Sequence, residues 1–278
     1  MKSLFDVCAP AKLNLFLHIV GRRPDGYHLL ESVFVLIDWC DTLHFERRGQ
    51  GLLSREDLTT PLPADDLVMR AARALQRHTG SRQGAHISVE KRVPAQAGMG
   101  GGSSDAASTL LALNRLWGLH LDLASLRAIG LTLGADVPFF LGGQSAFVTG
   151  IGEKLAPISV PQSRYLVVKP PDGLETQRIF SHPHLKRDSE PTIIAGFATA
   201  ADGFGCNDLQ DIAQQFCPGV GLAVDWLDSL GLSGRMTGSG SAVFSKLAHD
   251  IDISNAPESF EVKICNGLQV HPLFGWAV

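Results

Sequence analysis

The segment Pro94-Ala95-Gln96-Ala97-Gly98-Met99-Gly100-Gly101-Gly102-Ser103-Ser104-Asp105 is the most unusual stretch of the chain. A glycine in regular structure costs roughly 1 kcal/mol relative to alanine, so three adjacent glycines make sense where backbone amides must wrap closely around an anion. The strand pattern AHISVEKRV precedes the loop and Pro94 closes it; an apolar helical pattern follows, with Ala106, Leu110, Leu113 and Trp117 on one side. A helix starting at Ser103 or Ser104 would add unpaired N–H groups and the positive end of its dipole. Together these features describe a phosphate cradle. An ordinary turn with Ser104 as N-cap is the competing reading.

The commonest phosphate loops do not fit. A P-loop requires Gly-Lys-Ser/Thr, and the chain has no Gly-Lys pair. A dinucleotide fingerprint begun at Gly98 would need glycine where Ser103 stands, and one begun at Gly100 would need it where Asp105 stands. The His-Arg-Asp and Asp-Phe-Gly signatures of protein kinases are both missing.

The elements around the loop read as follows. LNLFLHIVG is a strand, and the turn Arg22–His28 carries Pro24-Asp25-Gly26 at its centre. ESVFVLIDW and TLHFERR are two further strand candidates. DDLVMRAARALQRHTG is a helix stopped by Gly80. Another helix, from Asp122 to Leu133, leads into LGADVPFFLGG, and QSAFVTGIGEKL reads as strand and turn. The proline- and polar-rich APISVPQS marks a boundary, dividing the chain into residues 1–155 and 156–278. Beyond it come a strand at YLVVKP, a helix near GLAVDWLDSLG and the motif RMTGSGSAVFSKL. Residues 181–206 lack periodicity and are expected to form a mobile connection or a loop over a site.

Composition narrows the function classes. Twenty-four Lys and Arg against 28 Asp and Glu leave a net charge of −4, without the basic excess that grips nucleic acid nonspecifically. The five cysteines, Cys8, Cys40, Cys206, Cys217 and Cys265, include no C-x-x-C pair, which argues against a disulfide framework or a cysteine zinc site. Reduced thiols suit a cytoplasmic protein. Lys12 and Asn14 interrupt the first apolar stretch, so neither a signal peptide nor a membrane span is expected.

The pattern Pro-x-x-x-Gly-x-Gly-Gly-Gly-Ser-Ser-Asp-Ala-Ala resembles the ATP loop of the GHMP kinases, a superfamily of small-molecule kinases. Ala9-Pro10-Ala11-Lys12-Leu13-Asn14-Leu15 is similar to its first motif, and Met236-Thr237-Gly238-Ser239-Gly240-Ser241-Ala242 to its third. Asp25-Gly26-Tyr27-His28 and Leu133-Gly134-Ala135-Asp136-Val137-Pro138 resemble the branch acting on a cytidine-diphosphate-linked polyol in the non-mevalonate route to isoprenoids. The resemblance implies a two-domain α+β fold of mixed sheets and helices, with nucleotide and substrate in the cleft between the domains. It also implies ATP as co-substrate, Mg²⁺ beside it, and transfer of the γ-phosphoryl group to a tertiary hydroxyl. A kinase for another alcohol, or a noncatalytic anion-binding protein on the same scaffold, stays open at this point.

Phosphoryl transfer of this kind depends on positioning and electrostatics. The resemblance assigns the ATP loop to residues Pro94 through Ser104. It makes Asp136 the acceptor of the hydroxyl proton and Lys12 the cation beside it. Residue types alone would leave Asp136 a helix-start residue and Lys12 a snorkelling side chain. Asn14, two residues along the strand, shares a face with Lys12 and is implied as a contact of the polyol or of Asp136. Tyr27 and His28 are implied at the cytosine, Phe180 on its opposite face and Thr176 as a polar substrate contact; a core role for Phe180 is the alternative. No acidic pair identifies metal ligands, Ser104 being a possible contact of the ion or a phosphate, and His182-Pro183-His184 reads as a kinked surface loop. Asp66 departs from the Asp-Asn-Leu common in the family, which puts an adenine contact there in doubt and leaves a simple N-cap.

Overall fold

A long two-stranded ribbon organises the molecule. In the computed structural model, which describes residues 1–192 and 203–277, β1 (Ser3–Arg22) pairs antiparallel with β2 (His28–Arg48) along almost its whole length. The other edge of β2 takes three partners in turn: β5 (Ala146–Thr149) at residues 32–34, β10 (Glu261–Leu268) at 36–37, and β4 (Gly84–Glu90) at 42–48. β3 (Leu53–Asp57), β6 (Lys154–Pro157), β7 (Arg164–Lys169), β8 (Arg235–Met236) and β9 (Val243–Leu247) complete a sheet of order β3-β4-β2-β10-β7-β9-β8, with β1 on β2 and β5 linking β2 to β6. Among the described residues β3–β4 is the parallel pair and the named ladders are otherwise antiparallel, which excludes a doubly wound parallel sheet.

The sequence suggested two strands where β2 is one. Cys40 and Asp41, between ESVFVLIDW and TLHFERR, look like a break. Asp41, however, is fully buried, and its carboxylate accepts from the backbone N–H groups of Arg92 (2.6 Å) and Val93 (2.8 Å) and from the Lys91 ammonium. A satisfied buried carboxylate lets the strand continue through it.

Helices cover the sheet. α1 (Leu67–Thr79) starts at Asp66, whose carboxylate accepts from Met69 N–H at 3.0 Å, and ends at Gly80 with φ 65°. α2 (Gly101–Trp117) is buried over most of its length, and α3 (Leu123–Leu131) is capped by Asp122. α4 (Val137–Gly142) carries Pro138 in its first turn; Val137 is its first helical residue and not an extended one. α5 (Thr176–Phe180) and the helices Gln210–Phe216 and Pro218–Ser229 belong to the second half.

Three apolar clusters form the interior. One packs α1, α2 and α4 on β2 and β4, and Leu268, Leu273 and Trp276 return to it from the C-terminal segment. A second gathers Leu166, Val168, Ile212, Leu227 and Val243 around Leu17 and Ile19 of β1. The third joins Leu13 and Val35 to Val167, Ala242, Ala97 and Met99. Met99 is buried and holds the glycine loop against the sheet, a burial that stabilises by about 1.5–3 kcal/mol. The expected loop 181–206 is described at residues 181–192 and 203–206, without helix or strand there; residues 193–202 lie outside the described residues.

Candidate active site

The glycine loop forms one wall of a cleft of about 590 Å³. Lys12, Asn14, Phe34, Asp136, Thr176 and Phe180 also line it, although they come from β1, β2, α4 and α5. The topology thus brings together residues up to 228 positions apart, from Lys12 to Gly240.

The loop's shape follows from its glycines. Gly98 has φ 73°, and a Cβ there would meet the Thr237 carbonyl oxygen at 2.1 Å. Gly100, with φ 70° and ψ 20°, is the N-cap residue, so α2 begins at Gly101, earlier than the expected Ser103 or Ser104. Ser104 therefore lies in the first turn and does not cap it; its N–H donates to Gly100 O at 2.9 Å. The N–H groups of Gly101, Gly102 and Ser103 precede the first intrahelical bond and remain free for an anion. Ser103 lines the cleft, whereas Ser104 is buried and its Oγ makes no hydrogen bond among the described residues.

The loop is fastened to the segment carrying the third motif. Ser241 N–H donates to Gln96 O at 3.1 Å and Ala242 N–H to Ala97 O at 3.2 Å. On the other side, Lys12 N–H donates to Met99 O at 3.0 Å, fixing the loop to β1 beside its own lysine.

Lys12 and Asn14 project from one face of β1, as their spacing predicts. Lys12 is buried, donates to Asn14 Oδ1, lies 4.4 Å from the centre of the Phe34 ring, and reaches Asp136 Oδ2 at 3.6 Å. Burial holds its pKa below the ordinary lysine value, against the opposing pull of Asp136. Asn14 donates through Nδ2 to Ser32 Oγ at 2.9 Å, and its backbone N–H donates to Thr237 Oγ1 at 2.9 Å. Asp136 immediately precedes α4, and its side chain caps no N–H of the helix, which leaves its oxygens for other partners. An ammonium, a carboxylate and a concavity of backbone amides in one cleft can neutralise phosphate charge and take up a hydroxyl proton.

The residues expected at the substrate base divide. Phe180 lines the cleft and stacks, tilted, on His28 with ring centroids 5.1 Å apart. His28 opens β2, Tyr27 stands in the preceding turn, 60% exposed, and neither is part of the cleft lining, which His28 meets through Phe180. Thr176 Oγ1 pairs with Ser239 Oγ at 2.7 Å across the cleft mouth. Asp66 lines the cleft at its other end, held as the α1 cap and by Arg55 Nη1 at 2.6 Å.

Ser32, Lys91 and Arg187 lie outside the motifs, and the motif residues Thr237, Ser239 and Asp105 have contacts that the sequence does not disclose. Ser32, Thr237 and Ser239 support Asn14 and Thr176; a serine inside the apolar run ESVFVLI is a usable signal for the first. Lys91 bridges Asp41 and Asp105 beneath the loop, with Asp105 Oδ2 at 2.6 Å. Burial pushes the Asp105 carboxyl up to about 7, since two acids share one ammonium there. Arg187 donates from Nε to His28 Nε2 at 3.0 Å.

Comparison with known proteins agrees with this architecture. The family model for the GHMP kinases N terminal domain matches residues 66–144. Over the full chain, and 97% of the relative, the sequence is 68% identical to 4-diphosphocytidyl-2-C-methyl-D-erythritol kinase of Albidiferax ferrireducens (strain ATCC BAA-621 / DSM 15236 / T118). It is 62% identical to the protein of the same name from Acidovorax sp. (strain JS42), covering 99% of each. A crystal structure of 4-(cytidine 5'-diphospho)-2C-methyl-D-erythritol kinase superimposes with a TM-score of 0.80 at 33% identity, over 95% of this chain and 98% of that one. The Methanococcus jannaschii mevalonate kinase shares the fold, with a TM-score of 0.73 at 13% identity over 96% and 98% of the two chains. With two thirds of its residues shared end to end with such a relative, the chain belongs to the 4-diphosphocytidyl-2-C-methyl-D-erythritol kinase family of the GHMP kinases.

Proposed function

We infer that this chain is a small-molecule kinase that transfers the γ-phosphoryl group of ATP to the 2-hydroxyl of 4-diphosphocytidyl-2-C-methyl-D-erythritol. The observation that carries the reading is the Lys12–Asp136 pair, 3.6 Å apart, in the cleft walled by the glycine loop. ATP phosphates lie along residues 94–104, with the free amides at the start of α2 meeting the negative charge. Asp136 accepts the hydroxyl proton as the oxygen attacks. In a loose transition state that proton leaves late, so the placement of the carboxylate matters more than its basicity. Lys12 balances charge on the carboxylate and on the transferring group. Asn14 and Thr176 hold the polyol, and His28, Phe180 and Tyr27 take the cytosine. We assign residues 1–155 to a first domain and 156–278 to a second, with Leu268, Leu273 and Trp276 of the second returning to pack on the first.

Mg²⁺ accompanies the nucleotide. Among the described residues there is no group of three His, Cys, Asp or Glu side chains able to hold a metal, which suits an ion bound chiefly through phosphate and water. Ser104 Oγ, buried and without a hydrogen-bond partner among the described residues, would be the protein group to meet the ion or a phosphate. The ion supplies positive charge to the phosphate oxygens. No helix of the described residues is long and apolar enough to cross a membrane, and we place the enzyme in the cytoplasm.

The experiment is ADP release from ATP with and without the cytidylated polyol. Release that depends on the polyol, with a product carrying phosphate on the 2-hydroxyl, supports the reading; release indifferent to the polyol rejects it.

A further inference from the structure

Arg187 has no role in the account so far, yet it is bound on every side. Its guanidinium donates to the carbonyls of His182 (2.7 Å), Leu185 (2.9 Å), Pro183 (3.3 Å) and Phe180 (3.5 Å), and its Nε donates to His28 Nε2 at 3.0 Å. An arginine side chain is a donor only. His28 Nε2 must therefore be an acceptor, which leaves the imidazole neutral with its proton on Nδ1. Among the described residues Nδ1 has no partner, and the ring is stacked against Phe180 at the cleft wall.

We infer that Arg187 is a positioning residue for base selection: it locks His28 in the Nδ1–H tautomer, so that this single donor meets N3 of a cytosine. The inference rests on the reading of His28 as a base contact proposed above. Its chemistry is specific. Cytosine N3 is an acceptor and uracil N3 carries a hydrogen. A fixed donor at that edge pairs with the first and faces a second donor on the other, and a buried unpaired donor is heavily penalised. A histidine free to exchange its proton between the two nitrogens would present either a donor or an acceptor and would discriminate less. Burial, together with the positive charges of Arg187 and Arg22, holds the His28 pKa below its ordinary value, which disfavours the doubly protonated ring.

The test combines imidazole ¹⁵N spectra with kinetics. His28 signals are assigned by their loss in His28→Asn. In the wild-type enzyme near pH 7, His28 is expected with a bare Nε2 and a protonated Nδ1. Arg187→Met should shift it toward the Nε2–H form and cut the kcat/KM preference for the cytidine over the uridine analogue roughly tenfold or more, with KM for ATP unchanged. Arg187→Lys, which keeps the charge and loses the planar fork, should fall between. Because Arg187 also ties four carbonyls, that of Phe180 among them, Arg187→Met can loosen the loop, and the wild-type spectrum is the arm free of that problem. A wild-type His28 in the Nε2–H form overturns the inference. So does an Arg187→Met enzyme that loses activity on both analogues equally. A wild-type enzyme that treats the two analogues alike overturns the base-site reading itself, and the inference with it.

Discussion

The Lys12 ammonium lies 3.6 Å from the Asp136 carboxylate while stacked over Phe34, so the charged pair sits half in water and half against an aromatic face. Asp136 retains about a third of its exposure and Lys12 almost none. The lysine is the residue sealed in place, and the carboxylate is the one a substrate hydroxyl can approach.

Asp136→Asn should therefore lower kcat by about 10²–10⁴ and leave ATP affinity within a few-fold. Asparagine keeps the size and loses the proton acceptor. Steady-state turnover alongside equilibrium nucleotide binding checks this. A folded variant with near-normal turnover would show that the proton goes elsewhere.

Lys12→Met should collapse turnover without destabilising the protein. Burial sets the folded-state pKa of Lys12 below the unfolded value of 10.5. Between the two values unfolding takes up a proton, so this lysine makes stability rise with pH there and weakens the fold at neutral pH. The variant should lose that slope and be at least as stable at pH 7. Thermal melts at pH 7 and pH 10 measure it; a marked loss of stability at pH 7 would mean that Lys12 is chiefly structural.

Asp105→Asn probes the acid pair beneath the loop. A carboxyl raised to about 7 in the folded state from 3.8 holds its proton better folded than unfolded. Its contribution is complete below pH 4 and is lost as pH rises through 7. Wild-type stability should carry this falling component between pH 4 and 7, and the variant should lack it. Denaturant midpoints across that range decide the matter, since superimposable slopes would rule the cluster out.

Gly98→Ala should cost at least about 1–3 kcal/mol and abolish nucleotide binding. Its φ of 73° disfavours any side chain, and the new Cβ would collide with the backbone of Thr237. Gly49→Ala, where a Cβ would meet nothing within 4 Å, is the matched control. Equal effects at both positions would contradict the close approach of the two segments.

Phe180→Ala should weaken binding of the cytidylated polyol by about 1–3 kcal/mol, the worth of one stacked base, and barely change ATP affinity. Tyr27→Ala should act in the same direction. Calorimetric titration with each ligand separates the two effects; loss of ATP binding in either variant would place the base elsewhere.

Much of this arrangement is legible in the residues themselves. Asp66 and Gly80 mark the ends of α1 because capping is local chemistry, and the alternation along β1 puts Lys12 beside Asn14. The start of α2 was misjudged because serine is the usual cap, whereas here a left-handed Gly100 turns the chain directly into the helix. The continuity of β2 through Asp41 depends on amides 51 and 52 residues away, and Arg187 finds His28 across 159. Such partners leave no periodic trace, because a guanidinium in a loop obeys geometry set elsewhere. The ordered family motifs located the site that these long-range contacts assemble.

The fastening of Gln96 and Ala97 to Ser241 and Ala242 bears on how the protein comes to be made. Contacts this far apart in sequence close late, because chain entropy must be overcome before they form. As the polypeptide leaves the ribosome, the first helices and the β1–β2 ribbon can collapse while the anion-binding loop still lacks its clasp. Only when residue 242 emerges does the cradle acquire both of its sides, so competence for the nucleotide arrives near the end of synthesis rather than with the segment that carries the glycines.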